Sequence, residues 1–128
     1  MKLKLRKTTA AVLFNINKPL KILSIDLPEN LKKNQVLIKN LYSGICGTQI
    51  AEYKGLKNNQ KYLPHLMGHE SVGVVIQKHS SVSKLNIGDK VITHWMNSKG
   101  NNSEAPKYYY KKKLINSGLI TTFSNYSV

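Results

Sequence analysis

Short runs of β-branched and aliphatic residues, each cut off by Pro, Gly, Asn or Asp, recur along the chain and limit its possible folds more than any other feature. Thr8 to Ile16 halts at Asn17, Lys18 and Pro19, which predicts a strand and then a turn. Leu20 to Ile25 alternates up to a turn around Pro28 and predicts a second strand with one mostly buried face. Gln35 to Leu41 and Ser71 to Gln77 predict two more, the latter with Gly73 at a bulge or a close backbone approach. Gly88 and Asp89 turn the chain into a strand over Lys90 to Trp95, and Thr121 to Val128 resumes strand character. After Gly44, Cys46 and Gly47 a stretch reaching Tyr53 and stopped by Gly55 reads as a short helix or as irregular chain, and Leu56 to Leu66 reads as a loop. So much strand with so little helix implies a mainly β, antiparallel, barrel-like domain and not a doubly wound one.

The 128 residues make one domain of ordinary composition, whereas an enzyme with separate substrate and dinucleotide domains usually needs about twice that length. Neither a Gly-rich dinucleotide fingerprint nor a phosphate-binding Gly-Lys-Ser/Thr loop occurs, so any nucleotide cofactor is expected to bind outside residues 1–128. Cys46 is the lone cysteine, which excludes an intrachain disulfide and fits a reducing, cytoplasmic setting. The apolar run Ala10 to Phe14 is too short for a signal peptide, and no stretch is long enough to cross a bilayer, so no membrane partner is expected. The net charge of +14 raises the question of a polyanion. Arg6 is the only arginine and the lysines are scattered, whereas recognition of phosphates and base edges leans on arginine forks, so no nucleic-acid partner is expected.

Two segments carry chemistry. Cys46 lies in Gly44-Ile45-Cys46-Gly47-Thr48, where flanking glycines let the backbone turn tightly and present a thiolate beside a sheet. His69 and Glu70 follow Gly68 immediately before a strand. Sulfur, imidazole nitrogen and carboxylate oxygen are the three donor types that zinc accepts. Spacing alone leaves a second possibility open for each: a small buried hydrophobe for Cys46 and a hydrogen-bonded core histidine for His69.

Taken together, Gly44 to Thr48, Pro64, Gly68-His69-Glu70 with Gly73 and Val75, and Lys84-Leu85 leading into Gly88-Asp89-Lys90-Val91 resemble the catalytic half of the zinc-type medium-chain alcohol and polyol dehydrogenases over roughly Thr8 to Trp95. The resemblance implies a GroES-like β-barrel that precedes a Rossmann domain, with the chain ending before the latter. It implies oxidation of a small-molecule alcohol with NAD or NADP, the coenzyme being held mainly by the missing domain, and a homo-oligomeric full-length parent. By the same resemblance Cys46 and His69 are ligands of the catalytic zinc, and Glu70 is a ligand or a close neighbour of it. Thr48 is the hydroxyl that takes the alcohol proton, and Trp95 lines the substrate pocket or, equally, serves as a core aromatic.

The sequence departs from the family pattern at instructive places. Gln49 stands where an Asp usually orients the zinc histidine, which predicts lowered metal affinity. Ala51 replaces a relay histidine, with His94 as a conceivable substitute, and a third protein ligand has to come from further along the parent. The four cysteines of a second, structural zinc are absent from the region Asn97 to Gly118. There Tyr108, Tyr109 and Tyr110 are expected to pack on the barrel while Lys111 to Lys113 stay in solvent. A non-catalytic GroES-like binding or assembly module is the rival to the enzyme reading, because fold does not fix function.

Overall fold

The first apolar run pairs with the second. In a computed structural model that describes residues 1–58, 60–96 and 99–128, strand β1 (Lys7–Leu13) runs antiparallel to β2 (Lys21–Asp26), in register from Lys7 opposite Asp26 to Val12 opposite Lys21. Alternation sends Thr8, Ala10 and Val12 inward. β1 stops short of Ile16 because Phe14 leaves the sheet to meet the Tyr110 ring edge-on at 6.4 Å, and Asn17, at φ 54°, turns its N–H to the carbonyl of Tyr53. Left-handed backbone of this kind is tolerated by asparagine better than by most residues.

Two sheets share the remaining elements. A closed barrel joins β1 and β2 to β7 (Tyr108–Tyr110), β8 (Lys113–Ser117) and β4 (His65–Leu66), in the order β1-β2-β7-β8-β4. β4 lies antiparallel to β1 and parallel to β8, so the expected antiparallel barrel has one parallel seam. Parallel partners need a long crossover, and here residues 67–112 make the connection from β4 to β8. The second sheet has the order β6-β5-β3-β9, built from β3 (Val36–Ser43), β5 (Ser71–Lys78), β6 (Lys90–Thr93) and β9 (Tyr126–Ser127). Gly73 on β5 is the site of a close approach: a Cβ there would collide with the Ile38 side chain and lie 2.7 Å from the Lys39 carbonyl. The register shifts twice along this pair: Ile76 of β5 is left without a partner between Leu37 and Ile38, and Leu41 of β3 is left without one beside the Asn40–Gly73 pair.

The core gathers Leu3, Val12, Ile25, Leu31, Leu37 and Ile115 around the fully buried Tyr108. Burial pushes the Tyr108 phenol up from its usual value, and its oxygen accepts the Val128 N–H at 3.0 Å. The tyrosine triplet therefore splits by strand alternation: Tyr108 points inward, Tyr110 packs at the rim and Tyr109 is exposed, contrary to the expectation that all three cover the barrel. These residues form a barrel hairpin, and Lys111 to Lys113 at its tip are exposed as expected. Asn97 and Ser98, part of the stretch compared above with a metal-binding lobe, lie outside the described residues.

Three further expectations change. The loop before Leu66 contains a 3₁₀ turn (Gln60–Tyr62) and β4. The strand after Asp89 ends at Thr93, leaving Trp95 beyond it. Of Thr121 to Val128 only β9 is strand, because the N–H groups of Thr122 and Phe123 bond the carbonyls of Gly68 and Met67 in place of a full ladder. Among the described residues no helix is long and apolar enough to cross a membrane.

Candidate metal centre and substrate cavity

The site is assembled where β3 hands over to the helix and β4 to β5. The Gly44 N–H donates to the Glu70 carbonyl at 3.0 Å, which lays the Cys46 segment against the His69 segment. A Cβ on Gly44 would overlap the end of the Glu70 side chain, so glycine here leaves that carboxylate its place. Gly68, at φ +88°, supplies the other tight turn, with Phe123 pressed against it. Helix α1 (Gly47–Tyr53) begins after Cys46, whose φ of −78° and ψ of 153° are extended and fit a helix N-cap.

These turns bring Cys46, His69 and Glu70 together: their sulfur, nitrogen and oxygen donor atoms all lie within 4.8 Å of one another, and each residue is partly buried. Cys46 is thus not a sealed core residue. Its thiol points at the Thr48 hydroxyl, 3.7 Å away. His69 Nδ1 meets the side-chain nitrogen of Gln49 at 2.7 Å, while His69 Nε2 is buried with no hydrogen-bond partner among the described residues. A buried nitrogen without a partner is costly unless something else ligates it. Thiol, imidazole and carboxylate form a donor set that suits zinc, so these residues fit such an ion.

Gln49 complicates the fit. Its buried carboxamide oxygen accepts the Cys46 N–H at 3.2 Å, which leaves its NH₂ facing His69 Nδ1. In that orientation Nδ1 accepts, and the ring proton of a neutral imidazole sits on Nε2, the nitrogen a metal would need. Ligation through Nε2 requires Nδ1–H to donate to the Gln49 oxygen, which gives up the bond to Cys46. An aspartate has two acceptor oxygens and serves both N–H groups at once.

Beside this cluster lies a cavity of about 300 Å³ lined by Gln49, Glu52, His65, His69, Trp95 and Ile120, among others. Trp95 is 64% exposed and meets the His69 ring edge-on at 6.3 Å, which places it on the cavity rim and not in the core. His94 is exposed and is not among the lining residues. Glu52 and His65 escaped the sequence reading. The available signal was helical spacing: Glu52 follows Gln49 by one turn of α1 and so shares its face. Nothing in the sequence marks His65, because it reaches the cavity through the pairing of β4 with β8.

Residues 32–128 match the family described as "Alcohol dehydrogenase GroES-like domain". The S-(hydroxymethyl)glutathione dehydrogenase of Haemophilus influenzae is 38% identical over 86 residues, covering 67% of this chain and 22% of that protein. An alcohol dehydrogenase of Schizosaccharomyces pombe is 34% identical over 87 residues, covering 60% of this chain and 25% of its own length. The chain thus spans a quarter or less of these relatives. Among solved structures, an alcohol dehydrogenase zinc-binding domain protein from Burkholderia ambifaria superposes with a TM-score of 0.60 at 28% identity, covering 66% of this chain and 22% of that one. A Helicobacter pylori protein titled CAD, complexed with NADP(H), has the same fold over 96% of this chain and 39% of its own, with a TM-score of 0.67 at 20% identity. The chain belongs to the GroES-like domain family of the zinc-type alcohol dehydrogenases.

Proposed function

We propose that this chain is the metal-carrying substrate domain of an NAD(P)-dependent alcohol dehydrogenase, with Cys46, His69 and Glu70 as its zinc-binding residues. The carrying observation is the convergence of three unlike donor atoms on one point beside a buried His69 Nε2 that has no other partner. Zinc held there supplies Lewis acidity that makes an alcohol hydroxyl easier to deprotonate. Thr48 receives that proton, since its hydroxyl stands next to the Cys46 thiol and can accept one hydrogen bond while donating another. Ala51 offers no onward relay, so Thr48 passes the proton to water or to coenzyme hydroxyls. A nicotinamide bound outside these residues would supply the hydride acceptor that takes the alcohol to a carbonyl compound. Trp95 lines the substrate pocket from the cavity rim. The 128-residue chain by itself is inactive on this reading, because the hydride acceptor has no binding motif within it.

Cobalt(II) replaces zinc in thiolate sites and adds a ligand-to-metal charge-transfer band in the near ultraviolet. Titrating the chain with cobalt should produce that band, with sub-stoichiometric occupancy because a ligand is missing. Cys46→Ser should abolish it and His69→Ala should weaken metal retention, because so small a donor set cannot spare one. A band of equal strength in all three proteins would overturn the assignment.

A further inference from the structure

The cavity beside the proposed metal centre has a second polar wall. Glu52 leaves the last turn of α1 and His65 opens β4, and both line the same cavity as His69 and Trp95. Their side chains are only 21% and 16% exposed, and His65 Nε2 stands 3.9 Å from the Glu52 Oε2. That is beyond the reach of a direct N–H···O hydrogen bond, which spans about 2.7–3.2 Å. Apart from Gln49, the rest of the wall is apolar, with Leu66, Leu119 and Ile120 supplying most of it. A cavity that is mostly apolar with a few fixed polar groups orients its ligand through those groups.

The His65 tautomer follows from its neighbours. Nδ1 faces Asn116, either accepting from the side-chain NH₂ at 2.7 Å or donating to the main-chain carbonyl at 3.2 Å. The first arrangement puts the ring proton on Nε2, toward the carboxylate. The second turns an Nε2 lone pair on that carboxylate, which is repulsive, and its contact is the longer one. Burial, opposed by Glu52 and by the Asn116 carbonyl, holds the His65 pKa below its usual value and favours the neutral ring. The cavity wall therefore presents an N–H donor and a carboxylate acceptor a hydroxyl's width apart. One hydroxyl oxygen can accept from Nε2–H and donate to Glu52, whose carboxylate has lone pairs enough to keep its other contacts.

We propose that Glu52 and His65 are a specificity-determining pair that captures a second hydroxyl of the substrate, so that this domain favours an alcohol bearing a further hydroxyl over a plain alkanol. The proposal rests on the reading of Cys46, His69 and Glu70 as the metal centre. A hydrogen bond to a charged group in a partly buried site is worth on the order of 10- to 100-fold in affinity.

The test is a titration of the zinc-loaded chain with glycerol, erythritol and xylitol, each set against 1-propanol, 1-butanol or 1-pentanol of equal length, followed through the His65 ring signals in NMR spectra. The His65 signals should move with at least one polyol at concentrations tenfold or more below those needed for its monohydroxy counterpart. Glu52→Leu should erase that difference, and the closely isosteric Glu52→Gln should reduce it while keeping the fold. If the monohydroxy alcohols move His65 equally well, or no polyol moves it, the proposal is wrong; the wild-type titration alone decides this should a variant fail to fold. The cobalt spectrum keeps the two readings apart. A band independent of Cys46 alongside a polyol-sensitive His65 removes the metal assignment and leaves the pair, whereas a Cys46-dependent band with a silent His65 removes the pair alone.

Discussion

At Gln49 one side chain is asked to satisfy two neighbours that want the same atom. Both the Cys46 N–H and a metal-ready His69 Nδ1–H need an acceptor, and a carboxamide has one oxygen. Gln49→Asp should therefore tighten metal binding by about 10- to 100-fold, the range in which partners of metal-bound histidines act. Competition against a chelator of known affinity measures it, and unchanged affinity would mean that the Gln49 orientation costs nothing. His65 makes a separate statement about pH. Its folded pKa lies below the usual 6.5, so the unfolded chain binds a proton more readily than the fold does. Stability should accordingly fall as pH drops from 6.5 toward the folded value and be flat above 6.5 as far as this group is concerned. Urea midpoints for the wild type and His65→Phe, compared at several pH values, should show the acid-side slope shrinking in the variant; parallel profiles would assign that slope to other groups.

The β7–β8 hairpin shows how element-level chemistry and sequence reading part company. Its two turn residues, Lys111 and Lys112, have φ of 49° and 65°. Two-residue hairpin turns with φ > 0 at both positions favour Asn-Gly, since other L-residues pay a steric cost there. Replacing the pair by Asn-Gly should stabilise the chain by about 1 kcal/mol, seen as a rise of a few degrees in Tm. A fall in Tm would mean that the lysine stems contribute packing, as Lys111 Nζ does over the Tyr110 ring at 5.4 Å. The hairpin was not legible from sequence because a Tyr triplet beside a Lys triplet carries neither alternation nor a turn signal. Apart from β4, the sheet-forming runs up to Thr93 were legible, since β1, β2, β3, β5 and β6 each owe their form to local alternation or punctuation. Thr121 to Val128 has the composition of a strand but spends the Thr122 and Phe123 N–H groups on the Gly68 turn, a tertiary demand that no local pattern encodes. The juxtaposition of Cys46 with His69 was suggested by a resemblance and not by spacing, and its physical basis is the pairing of β3 with β5, continued past Ser43 by the Gly44 N–H on the Glu70 carbonyl.

At the scale of the whole molecule, what holds residues 99–128 in place decides how many metals the protein needs. The family resemblance implies a cysteine-bound zinc in the region after β6, but Cys46 is the only thiol of the 128 residues. The substitute is burial and pairing. Tyr108 has no exposed surface, Ile115 lies opposite it across β7–β8, and the Tyr108 oxygen bonds the Val128 main chain. β8 then closes the barrel against β4, so the hairpin is part of the core and not an appendage. Burying a side chain of this size contributes roughly 3–5 kcal/mol when judged by aromatic-to-alanine truncations, comparable to the loss of a structural cross-link. Among the described residues the one cluster of three or more metal-type donors is Cys46, His69 and Glu70. We therefore expect no more than one tightly held zinc per chain, and amide-exchange protection across Tyr108–Tyr110 and Lys113–Ser117 that survives chelation. Tyr108→Ala should remove that protection where chelation does not. Two tightly bound zincs, or loss of hairpin protection on treatment with a chelator, would show that a metal does here what the tyrosine is assigned to do.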